Sequence, residues 1–168
     1  MGDVQHLDHR KANEKIKEIA EDVDICLFTT NLTEIPLSTR PMSTQKVEED
    51  GTMWFFSEKD SEKNLHIKKD SRVQLFYASR NSSEFLSIYG KASIIKDDNK
   101  ARELWSPMVK TWFQEGPEDP NLTLIKVIPE DGYYWDTKDG KVVSMLKIAA
   151  GAITGRELDG SIEGSLKP

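Results

Sequence analysis

Three residues far apart in this chain, Arg40, Ser61 and Lys63, have side chains suited to holding one phosphoryl group. Arg40 stands in a strand-like stretch beside Pro41, and Met42, two residues on, shares its face. Asp60-Ser61-Glu62-Lys63 opens a predicted helix. A helix start offers unpaired backbone N–H groups and a partial positive charge, to which Ser61 adds a hydroxyl and Lys63 an ammonium. Trp54, Phe55 and Phe56 fall between the two segments and supply an apolar or stacking wall. Each signal also has a plainer structural reading. An Asp-Ser pair caps helices, a strand arginine is solvated or salt-bridged, and a Trp-Phe-Phe run fills a core.

Other chemistries find no support. His6, His9 and His66 are scattered and Cys26 stands alone, so no set has metal-ligand spacing and no metal is expected. His6 and His9 are three apart but lie in a polar leader, where solvated side chains are expected. Cys26 lies inside an apolar strand and reads as a buried, inert thiol. The sequence has no glycine-rich phosphate loop, and no serine sits in a recognisable nucleophile context. The catalytic residues are not identified.

Composition narrows the classes further. The chain has 168 residues, enough for one domain with a sizeable core and short for two. Its net charge is −6 with cations and anions interspersed, so the basic footprint that nucleic acid requires is missing. No apolar run approaches the roughly 20 residues that span a bilayer, and Met1 to Lys11 holds no signal-peptide core. A cytoplasmic protein that binds neither nucleic acid nor membrane is expected, in keeping with a single cysteine.

The elements that must position these residues are mostly strands. A helix is expected from His9 to Asp22, because Ala12, Ile16, Ile19, Ala20 and Val23 form one stripe. Strands are expected at Ile25–Thr30, Pro36–Val47, Thr52–Ser57, Ser71–Ala78, Phe85–Ile95 and Leu122–Trp135, the last bent at Pro129. Pro41 confines the second strand to an edge or a bulge, and Gly90 marks a bulge or close backbone approach in the fifth. Short helices are expected at Ser61–Lys69, burying Leu65 and Ile67, at Asn99–Trp105, and as a turn at Val109–Phe113. Glu115 to Pro120 reads as a loop. A C-terminal helix is expected over Lys141–Ile153 with Gly155 as its cap. Residues 1–158 form a single domain, and 159–168 read as a frayed tail. About six strands joined by short turns favour antiparallel pairing, hence a mainly β barrel or sandwich with accessory helices.

Thr39-Arg40-Pro41-Met42, Trp54-Phe55-Phe56-Ser57 and Asp60-Ser61-Glu62-Lys63 continue into Tyr89-Gly90-Lys91-Ala92, Leu104-Trp105, Lys110-Thr111-Trp112-Phe113, Gly116 to Leu122 and Tyr134-Trp135-Asp136. This ordered series, covering roughly Ala12 to Gly155, resembles the bacterial general stress proteins of the pyridoxamine 5′-phosphate oxidase-like, FMN-binding split-barrel superfamily. The resemblance implies a six-stranded antiparallel split β-barrel that binds FMN as a homodimer, with the flavin in a cleft between subunits. It implies that Arg40, Ser61 and Lys63 hold the flavin phosphate. The strand through Pro41, Met42 and Gln45 would pass beside the isoalloxazine, with Phe56 and Ser57 bordering the cofactor. Trp112 and Trp135 would be contributed by the partner subunit.

The sequence departs from the oxidase itself at several points. Glu62 replaces a phosphate-binding arginine, Gln45 a lysine, and Phe85 a flavin-contacting glutamine. The tail Gly160-Ser-Ile-Glu-Gly has no counterpart of the oxidase's arginine-rich substrate segment. True pyridoxamine-phosphate oxidase activity is therefore not expected. Three functions stay open: a flavin-dependent oxidoreductase on an unidentified small molecule, a non-catalytic flavin-sequestering stress protein, and a flavin-free barrel holding another planar ligand such as haem or a deazaflavin.

Overall fold

The computed structural model describes residues 3–79, 81–137 and 161–168. Among these residues the ten strands are β1 (Asp3–Val4), β2 (Leu7–Asp8), β3 (Ile25–Thr30), β4 (Ser38–Ser43), β5 (Lys46–Val47), β6 (Met53–Glu58), β7 (Arg72–Ser79), β8 (Glu84–Ile95), β9 (Leu122–Thr137) and β10 (Ser161–Lys167). Three helices accompany them: α1 (His9–Val23), α2 (Glu62–Lys69) and α3 (Asp98–Leu104), with a short 3-10 turn at Val109–Thr111.

The six strands expected from sequence form the body in the order β4-β3-β7-β8-β9-β6, all paired antiparallel. β5 follows β4 in the chain and pairs with β6 (Lys46↔Trp54), so the sheet rolls until its two ends meet. Among the described residues no ladder joins β4 to β6 themselves, and the barrel stays split at that seam. β4 is an edge strand, the position that a proline at residue 41 requires. The register of β8 against β9 shifts at Tyr89/Gly90, where a Cβ on Gly90 would meet the Ile128 carbonyl oxygen at 2.5 Å.

The barrel interior is filled from one side by α1. Ala12, Ile16, Ile19 and Ala20 are fully buried against Phe28, Phe55, Leu75, Ile88 and Tyr134. Phe28 and Phe55 meet edge to face at 5.2 Å. A second core lies on the other side of β6 and β9, where Trp54, Leu122 and Leu124 pack against Ala101, Leu104, Val109 and Phe113. β6 is thus covered on both faces, which explains its run of consecutive large apolar residues.

Several expectations need correction. Within the tail read as frayed, Ser161–Lys167 is a strand that pairs antiparallel with the second half of β9 and parallel with β1 and β2. Leu166 is fully buried there, a contribution that a short polar stretch does not advertise. The N-terminal leader is likewise paired, and His6 Nδ1 lies 2.9 Å from Ser165 Oγ. In α2, Leu65 is 58% exposed, and Asn64 and Ile67 are the residues that face the sheet. The helix expected over 141–153, with its cap at 155, lies outside the described residues.

Candidate functional site

A cleft of about 340 Å³ opens between the end of β4, the end of β6 and the 3-10 turn. Pro41, Met42 and Gln45 form one wall, Phe56 and Ser57 the floor, and Lys63 reaches in from the first turn of α2. These six are among the residues singled out from sequence. Edge-strand geometry explains the first wall, since β4 pairs on one side only and turns its free side to the cleft. Gln45 is held by its backbone N–H, which donates to the Trp54 carbonyl at 2.8 Å.

The floor is tied to α2 by a buried network centred on Asn64, which is fully buried. The Ser57 hydroxyl donates to Asn64 Oδ1 at 2.7 Å, and the Asn64 amide donates to the Glu58 carbonyl at 2.9 Å and to Thr123 Oγ1 at 2.9 Å. Ser61 Oγ lies 3.2 Å from Ser57 Oγ. With the Ser57 proton committed to Asn64, Ser61 is the donor in that contact. Sequence reading missed Asn64. The available signal was a polar residue three positions before Ile67, on the face that α2 buries.

Ser61 is the residue preceding α2, yet its side chain makes no capping bond, so the backbone N–H groups of the first turn keep their capacity to bind an anion. Lys63 is half-buried and makes no hydrogen bond or ion pair with a described residue. Burial lowers its pKa below the ordinary lysine value; the Glu58 carboxylate raises it and Arg40 lowers it further. Arg40 stands behind the cleft and does not line it. Its Nη1 donates to Thr30 Oγ1 at 2.8 Å and to the Phe28 carbonyl at 3.2 Å, and its Nη2 to Ser38 Oγ at 2.6 Å. Burial lowers the Arg40 pKa, an effect that Glu62 opposes.

The two tryptophans part company. Trp112, expected to reach the flavin from a partner subunit, lines the cleft of its own chain. Burial of its neighbours Val109 and Phe113 in the second core fixes it there, leaving the indole 64% exposed. Trp135 lies elsewhere, on the outward face of the sheet, with its ring 4.8 Å from that of Tyr133. Cross-strand register places Ala78, Phe85 and Trp135 in one row of that face and Pro41, Leu27, Phe76, Ser87 and Tyr133 in the next. Pro41 belongs to both this outward face and the cleft.

A separate group of carboxylates, Glu18, Glu84 and Asp136, comes within 4.8 Å of one another beside α1. Lys15 bonds Glu18 at 2.6 Å and Asp136 at 2.9 Å, which balances much of that charge.

The family profile described as pyridoxamine 5′-phosphate oxidase like matches residues 11–159. The chain belongs to the pyridoxamine 5′-phosphate oxidase-like family. Among its relatives is protein bli-3 of Neurospora crassa, 27% identical over 129 residues, which are 71% of this chain and 62% of that protein. The chain thus matches less than two thirds of that relative's length. A crystal structure of a general stress protein 26 from Jannaschia sp. CCS1 superposes with a TM-score of 0.77 at 20% identity, covering 94% of this chain and 98% of that one, and shows the shared split-barrel fold. The general stress FMN/FAD binding protein of Xanthomonas citri is 26% identical, with a TM-score of 0.64 over 75% of this chain and 89% of that one. No helix among the described residues is long and apolar enough to cross a membrane.

Proposed function

We propose that this chain binds FMN in the cleft and acts as a flavin-dependent oxidoreductase on a small molecule, as a homodimer. The observation that carries the reading is Lys63: a half-buried ammonium inside an aromatic-floored cleft, beside a second cation and an uncapped helix start, with no described carboxylate in ion-pair contact. A buried cation without a partner is costly, and a phosphoryl group is the ligand that removes the cost.

The residues present fit that group. Lys63, Ser61 and the first-turn N–H groups of α2 would hold the phosphate, with Arg40 adding charge from behind. Pro41, Met42 and Gln45 would run beside the ring system, and Phe56, Ser57 and Trp112 would enclose it. When bound, the flavin supplies the electron-transfer chemistry, and the protein orients it and limits water access. The general stress FMN/FAD binding protein of Xanthomonas citri supports a flavin as the ligand. The single phosphate site favours FMN.

The homodimer is supported by the outward apolar face. Leu27 is 52% and Phe76 44% exposed in adjoining strands, and the face runs through Pro41 into the cleft. Docked on a second copy, it would bring Trp135 of the partner subunit toward the flavin. A cytoplasmic setting is part of the reading, supported by one free, buried thiol.

The visible spectrum of the purified protein, with mass identification of the released ligand, tests the cofactor. A flavin spectrum and the mass of FMN are expected; a colourless protein that takes up no FMN overturns the reading. Lys63→Ala should weaken FMN about 10-fold or more and riboflavin little, because only FMN carries the phosphate. Sedimentation as a monomer at micromolar concentration would remove the dimer. Bleaching by NADH or NADPH is expected of the oxidoreductase, whereas a flavin that never turns over would mark a storage protein.

A further inference from the structure

We propose that His66 is a positioning residue for Arg40, acting through the hydroxyl of Thr30. The inference rests on the phosphate reading of the cleft and names a residue that touches neither phosphate nor flavin.

Thr30, at the end of β3, is fully buried. Its Oγ1 lies 2.8 Å from Arg40 Nη1 and 3.0 Å from His66 Nδ1. A guanidinium can only donate, so Thr30 accepts from Arg40. The Thr30 proton then needs an acceptor of its own, because an unpaired hydroxyl in a buried site is costly. Among the described residues His66 Nδ1 is the other partner within reach, so it must be unprotonated and the ring proton must sit on Nε2. That nitrogen lies 3.9 Å from the Glu62 carboxylate, which suits a donor. The chain of bonds therefore runs one way, from guanidinium to hydroxyl to imidazole.

The relay has a purpose that the rest of the site lacks. Arg40 makes no salt bridge with a described residue, and Lys63 is close enough to repel it. A long cationic side chain in that position would swing toward solvent unless neutral acceptors fixed it. The Phe28 carbonyl, Ser38 and Thr30 are those acceptors. Thr30 is the one whose orientation is set by α2, the helix that carries Lys63. One helix thereby supplies an ammonium directly and aligns a guanidinium on a neighbouring strand indirectly.

The test compares dissociation constants for FMN and riboflavin in the wild type, His66→Leu, His66→Asn, Thr30→Val and Thr30→Ser. Asn carries an oxygen on the same branch as Nδ1, and Ser keeps the hydroxyl. The preference for FMN over riboflavin should fall about tenfold in His66→Leu and Thr30→Val and be retained in His66→Asn and Thr30→Ser. Riboflavin affinity alone should stay within about twofold, since no phosphate is involved. An equal loss for both ligands, or an unchanged preference in His66→Leu, overturns the proposal. Nitrogen NMR of the wild-type imidazole gives a readout that needs no ligand: an Nε2–H tautomer is expected, and a proton on Nδ1 overturns the relay. A wild type that binds FMN and riboflavin equally would instead defeat the phosphate reading, while the tautomer would still decide the hydrogen-bond direction.

Discussion

The Ser57 hydroxyl donates to Asn64 Oδ1 at 2.7 Å, and this bond joins the cleft floor to the first turn of the helix beside it. Asn64→Leu would take one hydrogen bond each from Ser57, the Glu58 carbonyl and the Thr123 hydroxyl, leaving them their contacts with Ser61 and with the Ser57 carbonyl. The expected loss of stability is about 2–4 kcal/mol, because several buried groups lose partners together. Urea unfolding measures it, and a change under about 0.5 kcal/mol, the scale of an ordinary surface substitution, would show that the network is dispensable.

Lys63 should make FMN binding depend on pH in a definite sense. Its pKa is lowered in the fold, chiefly by burial, so the folded chain binds fewer protons than the unfolded one between the depressed and the ordinary lysine value. Across that window the ligand-free protein gains stability from this residue as pH rises. A bound phosphate reverses the shift by favouring the ammonium. FMN affinity should therefore fall as pH climbs through the depressed value, with proton uptake on binding, and riboflavin affinity should stay flat. Titration calorimetry in two buffers of different ionisation enthalpy reads both effects.

Glu62 sits near Arg40 and within 3.9 Å of His66, on the exposed side of the phosphate end. Glu62→Gln removes a negative charge that opposes a bound phosphate. FMN should bind about two- to fivefold more tightly, the scale of a solvent-screened charge, with riboflavin unchanged. Fluorescence titration of both flavins checks it.

Gly90→Ala should destabilise the fold by about 1–3 kcal/mol, because the new methyl would lie 2.5 Å from the Ile128 carbonyl oxygen across the β8–β9 bulge. Backbone on a paired strand cannot step aside as a flexible side chain would. A midpoint equal to the wild type in chemical denaturation would mean that the bulge relaxes freely.

Cys26 should be inert. It is 1% exposed, and burial pushes its thiol up to about 12. A disulfide reagent at pH 8 should leave the native protein unmodified and react fully in denaturant. Rapid modification of native protein would contradict the packing of β3.

Most strands were legible because alternation and turn residues agreed. Ile25–Thr30 matches β3 at both ends, and Pro41 correctly marked an edge. Gly90 announced its bulge for the same reason: few other features put glycine inside a long strand. The cleft was readable in Pro41, Met42, Gln45, Phe56, Ser57 and Lys63, since edge strand, aromatic strand and helix start follow in order. Asn64 and Leu166 were harder to read, because their burial depends on Thr123 of β9 and Leu7 of β2, each more than 50 residues away. The place of Trp112 was hidden for a similar reason. It is set by the anchoring of Val109 and Phe113 in a core that no local pattern reveals.

The pairing of β10 with β1 and β2 also determines how the molecule would answer a pulling force. Both partners run in the same direction, with Asp3 opposite Ile162 and Asp8 opposite Lys167. Tension applied at Asp3 and Lys167 would draw the two segments lengthwise past each other and load their hydrogen bonds together. An antiparallel clasp opened from one end would yield bond by bond. Gly164 tightens the clasp, since a side chain there would strike the Gln5 backbone.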